Sequence, residues 1–261
     1  MSELHKSGIK VVFGAMTIGK PGSVRFELKR DIPSNQMLDV FQKHDHSEVD
    51  TARVYGQGSS EEYLATAEWQ KRGITMDTKL YPTADRGTSL GREVYSHKPE
   101  DLRRGLMSSL EVDKLYKEGY FDRFGISNYM SWEVAQICEI CERNGWIKPS
   151  VYQGVYHALQ RSIELELFPC LRHYGICLYA FQPLAGGFLS DRYYRDTKSF
   201  EDGSRFDPKR WQGVLHRDRY WNDLYFDALD IIRSNHLTEA DCALRWCNVH
   251  HTVKGVGTNG K

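Results

Sequence analysis

Glu48-Val-Asp-Thr51, Ser59-Ser-Glu-Glu-Tyr-Leu-Ala-Thr-Ala-Glu-Trp-Gln70 and Ile74-Thr-Met-Asp-Thr78 read in order as strand, helix and strand. The outer pieces are short β-branched runs. The middle piece opens with Ser59 and Glu62 at capping-box spacing, where a hydroxyl and a carboxylate can satisfy the orphan amides of a helix start. Two strands joined by a crossover helix lie parallel in one sheet. The fold class is therefore set by whether this unit repeats along the chain.

It does. Upstream, 9–13 reads as a strand, and Met37, Val40 and Phe41, opened by Pro33 and Ser34, as a helix. Downstream, Pro99–Glu118 is helical and stops at Gly119. Strands at 123–126, 151–153 and 176–180 then alternate with helices Trp132–Asn144 and Arg161–His173. Six strands are expected in all, two short of the eight that close a (β/α) barrel. Residues 182–218 show no clear periodicity, and a connection of that length in a compact domain is usually functional. Tyr220–Arg233 reads as a helix, and Thr238 caps another with Ala240, Ala243, Leu244 and Cys247 on one face. A glycine-rich tail, 250–261, follows. No repeat, low-complexity block or linker interrupts the pattern, so one domain over 1–261 is expected.

Composition narrows the function. The 261 residues carry 35 Lys+Arg against 35 Asp+Glu, a formal charge of +0, which provides no global field to gather nucleic acid or an acidic membrane. A mean hydropathy of -0.57 argues against a membrane protein, and 40% hydrophobic residues argue against disorder. The N-terminus has no apolar signal region, so a cytoplasmic location is expected. Cys138 and Cys141 make the only C-x-x-C, but Val134, Ile137, Cys138 and Cys141 fall at i, i+3, i+4, i+7, which places both thiols on a buried helix stripe. No metal site is expected.

Asp50 ends the second strand, Tyr55 lies five residues on, and Lys79 directly follows the third strand. Parallel strands bring those ends to one rim, where such folds bind ligands. A tyrosine of pKa about 10 is a poor proton donor at neutral pH; a neighbouring ammonium lowers that value and a carboxylate can hold the ammonium in place. Asp50, Tyr55 and Lys79 are thus a candidate general acid. An Asp-Thr turn and a solvated lysine are the ordinary structural reading of the same residues.

Six stretches then point one way: Val11-Val-Phe-Gly-Ala-Met-Thr-Ile-Gly19, Glu48-Val-Asp-Thr-Ala-Arg-Val-Tyr-Gly56, Phe124-Gly-Ile-Ser-Asn-Tyr129, Val151-Tyr-Gln-Gly-Val-Tyr156, Leu167-Phe-Pro-Cys-Leu-Arg-His173 and Pro183-Leu-Ala-Gly-Gly187. In this order the chain resembles the aldo-keto reductases, specifically the aflatoxin-aldehyde reductase subfamily and its fungal secondary-metabolite relatives. The resemblance implies a (β/α)8 TIM barrel that transfers hydride from NADPH to a small-molecule aldehyde or ketone, with a weaker implication of a homodimer. It makes Tyr55 the acid and a substrate contact, with Lys79 and Asp50 lowering its pKa and Asp50 also near the cofactor. It assigns the nicotinamide carboxamide to Ser127, Asn128 and Gln153. Phe181 stands where relatives usually carry a stacking Tyr. The pyrophosphate loop is Gln182, Pro183, Leu184, Ala185, Gly186, Gly187, Phe188, Leu189, Ser190, Asp191 and Arg192, and Arg205 resembles a substrate-loop arginine. Taken singly, Ser127-Asn128 would also serve as a helix cap and the paired glycines as a tight turn.

The chain departs from the family twice. The family places a strand ending in a catalytic histidine between two helices, whereas here Ser108-Ser-Leu-Glu-Val-Asp-Lys-Leu-Tyr-Lys-Glu-Gly119 runs as if one helix had been joined to the next. Leu102, Leu106 and Leu110 keep one apolar phase, which then slips to Val112 and Leu115 while Asp113 and Lys114 take its place, so a seam near Glu111 is expected. About one βα unit, roughly 30 residues, is missing. His97 and His157 are the nearest histidines, and neither ends the relevant strand. The family's eighth strand, with its site for the adenosine 2′-phosphate, is also not found before Lys261. The reductase is the expected role. The alternatives are a catalytically impaired relative that binds nucleotide or a partner, and a truncated gene product.

Overall fold

The computed structural model describes residues 10–22, 34–79, 112–202 and 204–249. Residue 9 of the first expected strand, Pro33, His97, the helix stretch 99–111 with its seam at Glu111, and the tail 250–261 lie outside them. The described residues fall into two compact units, 10–79 with 201–210 and 112–200 with 211–249.

The first unit is built on β1 (Val12–Gly14), α1 (Ser34–Lys43), β2 (Glu48–Asp50), α2 (Ser59–Thr66) and β3 (Thr75–Asp77). The strands are parallel in the order β1-β2-β3, with Phe13, Val49 and Met76 in register. Val49, Leu38, Leu64 and Ile74 are buried between sheet and helices, each burial stabilising by roughly 1.5–3 kcal/mol. Two local expectations change. Ser59 does not cap α2: the entry runs through left-handed Gly56, Gln57 and Gly58, and the Ser59 hydroxyl donates to the Gly56 carbonyl (2.6 Å) while accepting the Lys20 N–H (2.9 Å). The helix also stops at Thr66 rather than Gln70. Glu68 turns left-handed, and Arg72, which is paired with Asp39 of α1, donates Nε to the Ala67 carbonyl at 2.8 Å.

The second unit holds a helical segment at 112–117 (α3), then β4 (Gly125–Ser127), α4 (Ser131–Asn144), β5 (Val151–Val155), α5 (Leu167–Tyr174), β6 (Cys177–Phe181), α6 (Trp211–Tyr220), α7 (Asp223–Ser234) and α8 (Glu239–Val249). Its strands are parallel in the order β4-β5-β6, and Ile126, Tyr152 and Leu178 share the register that faces α4 and α5. Cys138 and Cys141 lie on the buried face of α4, as their spacing predicts.

Three expectations fail here, each because polar residues take buried positions. In α3 the buried residue is Asp113 and Leu115 is exposed, since the Asp113 carboxylate accepts the Ile147 N–H (3.0 Å) and pairs with Lys117. The aperiodic stretch 182–218 contains most of α6, whose buried positions are Gly213, His216 and Tyr220 and leave no apolar stripe to read. In α8, Leu244 is exposed, and Glu239 is buried beside Ala243.

Candidate active site

In the first unit β2 ends at Asp50, opposite Asp77 of β3, and Lys79 lies two residues further along. Both chains leave the sheet at their C-terminal ends, so the two side chains meet. Lys79 Nζ pairs with Asp50 Oδ1 and donates to the Thr51 carbonyl at 2.7 Å. The same ammonium lies 5.1 Å from the centroid of the Tyr55 ring. Tyr55 opens a 3-10 turn that continues through Gly56 (φ 55). A side chain at Gly56 would meet Ser59 Oγ at 2.8 Å and the Ile18 carbonyl at 3.3 Å, so glycine is required for this approach of two backbones.

The electrostatics correct one expectation. Tyr55 is pushed up to about 12, first by burial and then by the Asp50 carboxylate; the charge that opposes them is Arg205. Lys79 is engaged by Asp50 and the Thr51 carbonyl. Arg205, from the 201–210 segment that belongs to this unit, feels Tyr55 in return, while burial pulls its own pKa down. Asp50, Tyr55, Lys79 and Arg205 therefore form one electrostatic group.

The remaining candidates lie in the second unit. Ser127, the last residue of β4, is the register partner of Gln153 in β5. Asn128 is left-handed (φ 63) and donates Nδ2 to Ser127 Oγ at 2.8 Å. Neither residue caps the following helix: α4 is held at its start by Glu133, whose Oε2 accepts the Met130 N–H at 2.7 Å. After Phe181, at the end of β6, the backbone takes positive φ at Gln182 (60), Ala185 (50), Gly186 (70), Gly187 (105) and Asp191 (58). Gly186 and Gly187 adopt such φ freely, whereas Gln182, Ala185 and Asp191 carry backbone strain. Gln182 Oε1 is buried and has no hydrogen-bond partner among the described residues.

Not every residue of 182–192 presents its side chain. Ala185, Phe188 and Leu189 are buried, and the Phe188 ring packs against Trp221 and Phe226; from these three only backbone is available. Pro183, Leu184 and Ser190 are half-buried, and Asp191 and Arg192 are exposed. Three residues that the sequence reading passed over support this loop. The His216 ring lies under Gly186, where an added Cβ would come within 2.4 Å of it, and Arg233 with Glu239 grips the loop exit. No signal in one sequence links residues so far apart; only the cap at Thr238 drew attention to that neighbourhood. Among the described residues no group of His, Cys, Asp and Glu is arranged to hold a metal ion, and no helix is long and apolar enough to cross a membrane.

Comparison with known proteins decides the family. A model described as the aldo/keto reductase family matches residues 94–257. An aldo-keto reductase of Pseudocercospora fijiensis is 51% identical over 250 residues, 84% of this chain and 82% of its own. The chain belongs to the aldo/keto reductase family. Aldo-keto reductase pigE of Monascus ruber is 46% identical over 284 residues (95% of this chain, 82% of that protein), and human aflatoxin B1 aldehyde reductase member 2 is 33% identical over 294 residues (98% and 77%). Both alignments are longer than the chain's 261 residues, so these aldo/keto reductases carry internal positions with no counterpart here, on the order of one 30-residue βα unit. The solved aldo/keto reductase from Klebsiella pneumoniae in complex with NADP and acetate is 18% identical, with a TM-score of 0.57 over 92% of this chain and 77% of that one. The fold is thus an α/β barrel of aldo/keto reductase type, incomplete, with six strands among the described residues.

Proposed function

We propose that this aldo/keto reductase reduces an aldehyde or ketone to an alcohol, taking hydride from NADPH and the proton from Tyr55. The observation that carries the reading is the Tyr55 ring beside the ammonium of Lys79, with Arg205 acting on the same phenol. At neutral pH a phenol of pKa about 12 keeps its proton, so Tyr55 is a hydrogen-bond donor for a carbonyl oxygen. As negative charge grows on that oxygen, the proton passes to it, because an alcohol is a weaker acid than a phenol. The phenolate left behind faces Arg205, whose charge favours it, and Lys79, held in place by Asp50 and Thr51.

NADPH supplies the hydride when bound. In this reading Ser127, Asn128 and Gln153 hold the nicotinamide carboxamide, Phe181 offers a ring for stacking, and loop 182–192 takes the pyrophosphate through the backbone of Gly186 and Gly187 with Arg192 adding charge. Gln182 Oε1, which has no partner among the described residues, and the run of positive φ support a ligand there, and the NADP complex of the Klebsiella pneumoniae structure agrees with the choice. The setting we assign is fungal secondary metabolism, as the subfamily resemblance implies; the Pseudocercospora fijiensis and Monascus ruber relatives are fungal.

The test is NADPH consumption, followed by absorbance, across aromatic and dicarbonyl aldehydes. A rate unchanged by Tyr55→Phe would overturn the proposal. The raised pKa of Tyr55 and the alignments longer than the chain favour a second reading, a relative that binds nucleotide with little turnover. Tight NADPH binding with no consumption would select it.

A further inference from the structure

Loop 182–192 ends in a clip made by residues far down the chain. The Asp191 N–H donates to Glu239 Oε2 (2.9 Å), and the Glu239 N–H donates to Asp191 Oδ1 (3.0 Å). The second oxygen of Glu239 pairs with Arg233 Nη2. That nitrogen also donates to the Tyr193 carbonyl (2.7 Å), and the guanidinium lies 4.2 Å from the centroid of the Tyr194 ring. The end of α7 and the start of α8 thereby hold three of the four residues from 191 to 194.

Helix capping alone does not account for this arrangement. Thr238 Oγ1 already accepts the Asp241 N–H (3.2 Å), as a cap should. Glu239 is 0% exposed, and burying a carboxylate is unfavourable unless it is paired and fully hydrogen-bonded. The buried pair is bonded to Asp191 in its left-handed conformation (φ 58), at the exit of a loop whose middle turns through Gly186 and Gly187. A loop so held does not have to be ordered when a ligand arrives.

We propose that Glu239, backed by Arg233, is a positioning residue for the dinucleotide: it keeps loop 182–192 in the conformation that accepts the pyrophosphate, without touching the ligand. The inference rests on the nucleotide reading of that loop. Disruption of the clip lowers the fraction of molecules with a competent loop, and the apparent dissociation constant rises by the inverse of that fraction.

The experiment uses the full chain and NADPH, with binding read from quenching of protein fluorescence. Glu239→Gln is expected to raise the NADPH Kd roughly tenfold while any turnover at saturating NADPH stays within about twofold. Amide hydrogen exchange over 187–194 should quicken in the same variant. Arg233→Lys keeps the charge on a shorter side chain without the planar guanidinium that lies over the Tyr194 ring, so it should give a smaller rise; it decides the matter if Glu239→Gln shows no cooperative unfolding. If the unaltered chain fails to bind NADPH, the nucleotide reading and this inference fall together. If it binds and the variants bind equally well, or lose turnover at saturating NADPH with Kd unchanged, this inference alone is overturned.

Discussion

Replacing Gly186 by alanine tests the packing of the proposed pyrophosphate loop. The new Cβ would sit 2.4 Å from His216 Cδ2 and 2.5 Å from Nε2, closer than carbon contacts allow, at a φ of +70. The left-handed conformation alone costs about 1–2 kcal/mol for a residue with a side chain, and overpacking a buried ring adds about 1–3 kcal/mol. The sum takes a large part of the roughly 5–15 kcal/mol by which domains are stable. At about 2–4 °C per kcal/mol for a chain of this size, thermal unfolding should begin roughly 4–20 °C lower. Gly187 is the control. Its φ is +105 but nothing lies within 4 Å of its Cβ position, so alanine there meets backbone strain without a clash. A double-mutant cycle separates the two effects. His216→Ala should relieve about 1–3 kcal/mol of the Gly186→Ala penalty and, within about 0.5 kcal/mol, none of the Gly187→Ala penalty. Equal penalties for Gly186→Ala with and without His216 would refute the clash.

His157 is buried and its pKa is lowered to about 4, first by burial and then by His216. A depressed histidine favours the native state above its unfolded pKa of about 6.5, and that stability is lost as pH falls toward 4. Stability should drop by about 2 kcal/mol between pH 7 and pH 5 from this group, and denaturant titrations of His157→Gln should show a shallower drop. Ultraviolet difference titration of Tyr55, read as wild type minus Tyr55→Phe, should place its ionisation near 12; Arg205→Met should move it higher and Asp50→Asn lower. An unchanged titration in Arg205→Met would remove Arg205 from the group. Burial pushes Cys138 up to about 11, so with a thiol reagent and peptide mapping Cys170, Cys177 and Cys242, which are partly exposed, should label well before Cys138 and Cys141.

Elements with an apolar stripe were readable in advance. All six strands lie where β-branched runs put them, with ends shifted by a few residues because a parallel strand extends only as far as its neighbour offers partners. α4 follows its apolar spacing and carries Cys138 and Cys141 inward. α6 could not be read this way, because its buried positions are Gly213, His216 and Tyr220, and neither could the inward turn of Asp113, which depends on an amide at Ile147. In the candidate site, the meeting of Asp50 with Lys79 was foreseeable from two adjacent parallel strands that end on one rim.

Local order along the chain thus settled the alternation of strands and helices, the sites of the turns and the pairing of Asp50 with Lys79, because each follows from spacing within a few residues or from neighbouring parallel strands. The direction of the Tyr55 shift, the Arg205 charge that opposes it, the ring beneath Gly186 and the grip of Glu239 on Asp191 were decided by the folded chain alone. Burial and through-space charge depend on which distant segments come together, and a linear pattern carries no record of that.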